Sequence, residues 1–402
     1  MAAGGRTSNE GATRPGLRNA LVAAEVAITI VVLVASGLLI RSFGALLHVD
    51  PGFRPDHVLT MQIGLPDTKY SRLEKVVSFY RALFLKTGAL PGVERVASIT
   101  PLPFTNALSR TRFAVEGKPL PEAGRFPVAQ VRTVTTGYFD AFKIPLRQGR
   151  YFTEADMNNS FAIINESLAR RFFPDQNPIG QRILMGVVDP NPTGVPVVGV
   201  VCDTREIGLN TGAEPELYFP GHSARATLVI RTTGEPLALA AAVRQQVLQA
   251  DREQPVSDVR SIDQVLGSSL ARQRFAMLLL TLFSGLGLLL AAVGLYGVMS
   301  YSVAQRTHEM GLRLALGAGQ WDIFRLVLKH GMGATAIGVG VGVASALTIS
   351  RFFRSLLYGV SATDPPTYIA VCGLLGIAAL IAIYIPARRA LRVDPVIALR
   401  WE

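Results

Sequence analysis

The chain has 402 residues, 49% of them hydrophobic and 17% charged, with a mean hydropathy of +0.33. Soluble domains carry about 25% charged residues, so this composition excludes disorder and an ordinary soluble surface, and two cysteines, Cys202 and Cys372, exclude a disulfide scaffold. The net charge of +11 admits either nucleic acid or a membrane, because lipid-spanning chains concentrate Lys and Arg on their cytoplasmic side.

The apolar residues fall in four runs. Leu21 to Ile40 holds one charge, Glu25, while Phe275 to Ala304, Met332 to Ser350 and Tyr368 to Ala387 hold none. A hydrocarbon core of about 30 Å needs roughly 20 helical residues, and lipid offers the backbone no partners outside a helix. The expected fold class is therefore a multi-pass α-helical membrane protein with four transmembrane helices. A large α+β extracytoplasmic domain is inserted between helices 1 and 2. The first run could instead be a cleaved signal peptide, but it is longer than the usual apolar segment of one.

In chain order, the expected segments begin with a cytoplasmic stretch 1–18 and transmembrane helix 1 at 19–42. The outer domain, in two lobes, covers 43–272, and helix 2 covers 273–304. A cytoplasmic coupling loop at 305–331, helix 3 at 332–350 and a short outer loop at 351–367 follow. Helix 4 at 368–387 and a cytoplasmic tail at 388–402 complete the chain. Orientation rests on basic residues near the spans: eleven lie in 1–18, 305–331 and 388–402 together, against two, Arg351 and Arg354, in 351–367. That asymmetry places both termini in the cytoplasm. Segment 41–274 holds 27 basic and 22 acidic residues, a near balance that argues against nucleic acid as a partner. Proline draws the same map: 19 of 24 lie between Pro51 and Pro255, and none between Val256 and Asp364. Since proline costs about 3 kcal/mol inside a helix, long helices are expected in that blank stretch.

Within the outer domain, Val58 to Leu65 reads as a strand ending at Pro66. Ser71-Arg-Leu-Glu74 reads as a capping box opening a helix, which Gly88 and Pro91 end. Val93 to Thr100 is a second strand, giving a β-α-β unit. Phe161–Asn165, a helix over Glu166–Phe173, and Val195–Val201 repeat the pattern less clearly. Leu237 to Ala250 is a helix with Pro236 at its first position. Ser261-Ile-Asp-Gln264 is another capping box. It allows either one helix of roughly 65 Å over 261–304, at 1.5 Å per residue, or two helices broken near Gly267.

Chemistry is sparse. There is no GxxxxGK[ST] nucleotide loop and no GxSxG elbow. His308-Glu309 starts like a zinc HExxH, but Leu312 replaces the second histidine. The expectation is a non-enzymatic chain with no cofactor and no metal, its two cysteines unbonded. Glu25, about one and a half turns into the first span, is read as an interface or helix-packing residue rather than an ion path. Gly338 and Gly342 form a small-xxx-small packing face. Arg306, Glu309 and Arg313 make one charged stripe on a short helix, with Met310 and Leu314 on its apolar side. Gly317-Ala318-Gly319 breaks that helix, and Asp322 opens the next. The stripe is either a solvated turn or a docking helix for a cytoplasmic partner.

Five stretches carry a resemblance. They are Arg18-Asn-Ala-Leu-Val-Ala-Ala-Glu25, Leu38-Leu-Ile-Arg41-Ser-Phe and Asp50-Pro-Gly-Phe53, then Arg306…Glu309-Met-Gly-Leu-Arg313-Leu-Ala-Leu-Gly317-Ala, and finally Pro386-Ala-Arg388-Arg389-Ala…Val393-Asp394-Pro395…Ala398-Leu399-Arg400. In this order the chain resembles the FtsX-like and MacB-type permeases of ABC transport systems, most closely the second half of the large duplicated bacterial ones. The resemblance implies a bacterial inner-membrane permease with a MacB-like periplasmic core domain. A separate cytoplasmic ABC ATPase would drive a homodimer, or a heterodimer with a second permease. Movement of the outer domains would export or extract a drug, peptide or lipoprotein, with a periplasmic adaptor or substrate protein as a further partner. By the same implication Arg306, Glu309 and Arg313 meet the ATPase, and Arg388, Arg389 and Asp394 lie close to that face. MacB-type proteins carry their own ATPase ahead of the first span. Here 18 mostly small and polar residues stand there, so an external ATPase is expected. The alternative is a non-transporting mechanotransmitter or scaffold that regulates a periplasmic partner such as a cell-wall hydrolase.

Overall fold

The computed structural model describes residues 14–105, 107–119, 125–186, 192–205, 207–305, 313, 319–352, 354 and 357–390. The chain forms two compact units, one of residues 1–48 with 272–402, the other of residues 49–271.

Among the described residues, the first unit holds four helices long and apolar enough to cross a membrane: α1 (Arg14–Leu47), α7 (Ala271–Gln305), α8 (Gln320–Ile349) and α9 (Pro365–Ala390). All four exceed the apolar runs that nucleate them, because helix continues into the flanking polar residues. Val22, Val26, Ile30, Val34 and Leu38 recur every fourth residue along α1 and are all buried. They share one core with Leu295 and Met299 of α7, Ala346 of α8, and Val371, Leu375, Ala379 and Ile383 of α9. α1 is thus the hub: 44% of its apolar window is enclosed, against 11% for α7. Pro386 sits inside α9, which membrane helices tolerate where neighbours satisfy the freed carbonyl.

The second unit is an α/β domain with eleven strands in one continuous sheet. Its first lobe begins with β1 (Val58–Gly64), α2 (Leu73–Gly88) and β2 (Val93–Thr100). It ends with β10 (Arg225–Thr232), α5 (Ala240–Ala250) and β11 (Val256–Ser261). The strand order β11-β1-β10-β2, antiparallel throughout, is the split β-α-β arrangement of ferredoxin-like folds. One face of its sheet buries Leu59, Met61, Ile63, Leu228 and Ile230 against Val76, Tyr80 and Leu83 of α2 and Val243 and Val247 of α5.

The second lobe is inserted between β2 and β10. It contains β3 (Arg110–Val115), β4 (Val128–Val134), α3 (Tyr138–Phe142), β5 (Leu146–Gly149), β6 (Ala162–Asn165), α4 (Glu166–Phe172), β7 (Arg182–Met185), β8 (Thr193–Val201) and β9 (Glu216–Pro220). Its pairings close on themselves as β4-β3-β7-β8-β6-β9-β4, a six-stranded ring whose parallel pairs are β4–β9 and β6–β8. Closure leaves those strands few free edges. The ring has its own core, with Phe113, Ile164, Leu168, Ile183, Val197 and Leu217. Ile99–Val134 and Thr100–Thr133 pairing joins the two lobes into one sheet.

Two local expectations need correction or a decision. The Ser71 capping box does not form: α2 starts at Leu73, and Arg72, in extended conformation, is the N-cap without a side-chain bond. The serine is one residue out of register with the first turn. The Ser261–Gln264 box does form, the serine hydroxyl accepting from Gln264 N and the glutamine amide oxygen accepting from Ser261 N. It opens α6 (Ile262–Ser269), which stops at Leu270 before α7 begins, so the stretch is two helices. Cys202 and Cys372 are both free.

Candidate functional site

The strongest constellation in the first unit lies along α1. In a bilayer apolar helices gain nothing from hiding from lipid, so close contact comes from small residues and polar bonds. Gly338 and Gly342 of α8 supply the small residues. A Cβ on Gly338 would lie 2.8 Å from the Ala23 carbonyl oxygen and 2.8 Å from Val26, and one on Gly342 would lie 2.9 Å from Ile30 and 3.0 Å from the Ala27 backbone. Ala346, four residues on, is buried and continues that row. The α8 backbone therefore rests directly on the α1 backbone.

The contact between α1 and α7 is of another kind. Thr29 donates to the Gly287 carbonyl at 3.3 Å, Ser36 and Thr281 hydroxyls meet at 3.2 Å, and Ser284 donates to the Val32 carbonyl at 3.1 Å. The half-buried Glu25 lies at the end of this line, its Oε2 2.5 Å from where a Cβ on Gly294 would sit. Among the described residues no donor bonds the Glu25 carboxylate. Glu25, Thr29, Val32 and Ser36 follow a four-three-four spacing, the stripe that faces one neighbouring helix.

The opposite end of α1 is tied to the segment before α9. Arg41 forms an ion pair with Asp364. Ser42 Oγ accepts from Tyr358 N at 2.8 Å, and a Cβ on Gly37 would lie 2.8 Å from Thr367 Cγ2. Asp364 also caps α9, accepting from Thr367 N at 3.1 Å and Thr367 Oγ1 at 2.6 Å. The Thr367 hydroxyl first, then the Thr367 N–H and Arg41, hold its carboxyl below the usual carboxylate range.

These contacts fix which ends lie together. The α1 start, the α7 end, the α8 start and the α9 end share one end of the bundle. Arg313 is helical and exposed, and Arg388 is exposed in the last turns of α9. Arg389 also lies in α9. Arg306, Glu309 and Asp394 lie outside the described residues. Of the residues singled out in the sequence, Glu25, Gly338 and Gly342 are brought onto one stretch of α1. Arg41, Asp364 and the hydroxyl line were not anticipated, although Glu25, Thr29 and Ser36 on one helical face were a legible signal.

In the second unit, the chain leading in from α1 is pinned to its domain. Gly52, at φ +84°, lies so close to the Asp203 carbonyl that a Cβ would stand 2.0 Å from it, so no side chain fits there. Arg205 N donates to Pro51 O at 2.9 Å and Arg54 N to Phe142 O at 2.8 Å. Phe53 packs edge-on against Phe142 at 5.0 Å. The buried Arg231 guanidinium donates to the carbonyls of Ala141, Asp56 and Arg54. The strand leading out, β11, pairs with the first strand, β1. Deeper in the domain, Arg132 and Glu216 form an ion pair at 3.0 Å with both side chains 1% exposed. Arg132 also donates to Pro101 O, while Tyr218 and Thr204 hydroxyls donate to the other Glu216 oxygen. Among the described residues no group of three or more His, Cys, Asp or Glu side chains is placed to hold a metal.

Fold and sites together define a membrane protein whose four helices bracket a two-lobed α/β domain, with chemistry concentrated in helix contacts. Comparison with known proteins adds the family. The model for the MacB-like periplasmic core domain matches residues 20–254, and the model for the FtsX-like permease C-terminal region matches residues 281–395. The chain belongs to the MacB-like, FtsX-like permease family. It is 27% identical over 284 residues to a pyoverdine export ATP-binding/permease protein of Pseudomonas fluorescens, covering 66% of this chain and 42% of that one. It is 27% identical over 288 residues to a macrolide export ATP-binding/permease protein of Chromobacterium violaceum, covering 68% and 44%. The chain thus spans about two fifths of the length of the curated relatives it matches. Among solved structures, the periplasmic region of MacB from Actinobacillus actinomycetemcomitans is similar over 56% of this chain and 97% of that one, at 18% identity and a TM-score of 0.37.

Proposed function

We propose that this chain is the permease subunit of an ABC-type export system in a bacterial inner membrane. The observation that carries the reading is the presence of a MacB-like core and an FtsX-like permease region in one chain, in that order, around four membrane helices. The named relatives combine ATP binding with a permease in export. We assign ATP hydrolysis in this system to a cytoplasmic ABC ATPase partner.

In this reading the Arg-rich end of the bundle faces the cytoplasm, and residues 49–271 stand on the other side. ATP binding draws two permease copies together through the 305–331 segment, where Arg306, Glu309 and Arg313 meet the ATPase and Arg388, Arg389 and Asp394 lie beside them. The pinned residues Pro51 to Arg54 and the β11–β1 pairing support a mechanical route, because both ends of the outer domain are anchored in its sheet and core. A pull on either chain end then moves a rigid body. The cargo is a drug, peptide or lipoprotein taken from the outer side.

Purification of the tagged chain from its native membrane with Mg-ATP and vanadate tests the reading. An ATP-binding subunit recovered at about one per permease chain, whose hydrolysis rises with the permease, is the expected result. Glu309→Lys abolishes that stimulation while the chain stays folded in the membrane. Recovery of the folded chain without any ATPase, or stimulation unchanged by Glu309→Lys, overturns it.

A further inference from the structure

We propose that Arg41 and Asp364 are positioning residues that join α1 permanently to the segment before α9, so that the two move as one body during the ATP-driven cycle. The inference rests on the permease reading for its consequence, though not for its geometry. Three independent ties lie within about two turns of α1. The Arg41–Asp364 ion pair is the first, and the Ser42 hydroxyl accepting from Tyr358 N at 2.8 Å is the second. The third is the close contact of Gly37 with Thr367, where a Cβ on the glycine would lie 2.8 Å from Thr367 Cγ2. Gly359, at φ +65°, adds a fourth approach, since a Cβ there would lie 3.3 Å from Ala45 Cβ.

Asp364 is shared between two duties. It caps the first turn of α9 through Thr367 and faces Arg41 across the gap to α1. Its side chain is 15% exposed and that of Arg41 is 48% exposed. The acid is thus the fixed element and the arginine reaches to it. Separating α1 from α9 would break the ion pair, the Gly37 contact and the Ser42–Tyr358 N bond together. The α1–α7 seam differs, because its hydroxyls bond carbonyls and other hydroxyls at 3.1–3.3 Å. The charge-assisted tie lies on the α1–α9 side, and the bonds on the α1–α7 side are all neutral. α1 ends at Leu47, and the chain that follows it is pinned at Pro51 to Arg54 within the second unit.

The test uses the full-length chain in native membranes, with Cys202→Ala and Cys372→Ala and the pair Gly37→Cys/Thr367→Cys. The Gly37–Thr367 approach puts the two new Cβ atoms in disulfide range. The rate of disulfide formation is read by gel shift after mild oxidation. Arg41→Met and Asp364→Asn, the latter keeping an oxygen for the backbone N–H at position 367, each slow it about two- to fivefold, the size expected for a partly exposed ion pair. Arg41→Lys restores it. Rates unchanged in both variants overturn the tie, whatever the chain's function. The oxidised parent is then assayed for stimulation of its ATPase. Full stimulation with the disulfide closed is expected, and its loss overturns permanence. A parent that stimulates no ATPase before oxidation counts against the permease reading alone, because the disulfide rates still decide the tie.

Discussion

The glycine contact between α8 and α1 makes a sharp prediction. In Gly338→Ala the new methyl would sit 2.8 Å from the Ala23 carbonyl oxygen and 2.8 Å from both Val26 Cβ and Val26 Cγ1. Ala23 O belongs to helix backbone, which cannot swing aside as a flexible side chain does, so the helices must part by several tenths of an ångström. Overpacking of this kind costs about 1–3 kcal/mol. Alanine is also the better helix former, by about 1 kcal/mol, which offsets part of the clash. Gly340 provides the control, because a Cβ there meets nothing within 4 Å. Gly340→Ala is expected to be neutral or to stabilise by up to about 1 kcal/mol, and Gly338→Leu to lie well above the alanine cost. The assay is reversible denaturation of the full-length chain in mixed micelles. The expected order of stability is Gly340→Ala, then parent, then Gly338→Ala, then Gly338→Leu. If Gly338→Ala is as stable as Gly340→Ala, the two helices do not meet backbone to backbone and the packing role fails.

Two further outcomes concern the outer domain. Arg132→Met removes the cation that faces the Glu216 carboxylate in a site 1% exposed, a loss of about 3–5 kcal/mol. At about 2–4 °C per kcal/mol for a unit of this size, the domain's melting temperature falls by about 6–20 °C. Arg132→Met with Glu216→Leu recovers most of that loss, and a double variant as unstable as the single one refutes the pairing. His222 stacks on Tyr80 at 5.6 Å and 18°. Burial lowers its imidazole below the ordinary 6.5, with Glu154 opposing and Arg81 adding to the shift. The unfolded chain therefore takes up the proton first, so stability is full above about pH 6.5 and declines as pH falls below it. His222→Phe keeps the stack and removes this slope between pH 7.5 and 5. A parent whose melting temperature is flat across that range disproves the assignment.

What the sequence reveals here depends on the range of the interaction. The four spans are legible because a lipid-crossing helix is specified by its own twenty or so residues. The Ser261–Gln264 box is legible for the same reason, and so is the α4 start, where Asn165 accepts from Leu168 N as an N-cap. The β1-α2-β2 unit could be read from local periodicity. Its completion by β10, α5 and β11 could not, because about 120 residues of the second lobe intervene before β10. The ring closure β4–β9 is likewise a pairing of distant strands that leaves no mark on either. Ser71 failed for the opposite reason, since a correct local motif lost to the register set by α2 packing on its sheet.

The same distinction separates the two classes of functional residue in the bundle. A small-xxx-small pair such as Gly338 and Gly342 announces a contact face on its own helix, because small residues in an apolar run have little other use. The sequence does not say that the partner is α1, or that α1 faces α7 with polar groups and α9 with an ion pair. Arg41 illustrates why. Read along the chain, it is one more basic residue at the end of a span, inside the Leu38-Leu-Ile-Arg41-Ser-Phe stretch, with nothing to name its partner. Its partner lies 323 residues away, beside a proline pair that marks a helix start for reasons unrelated to Arg41. What converts a topological charge into a mechanical one is the side-by-side placement of α1 and α9. Once that is known, the three kinds of contact along α1 follow a physical order. Backbone on backbone at α8 admits no movement without separation. Charge on charge at α9 holds by position. Hydroxyl on carbonyl or on hydroxyl at α7 holds by neutral bonds alone.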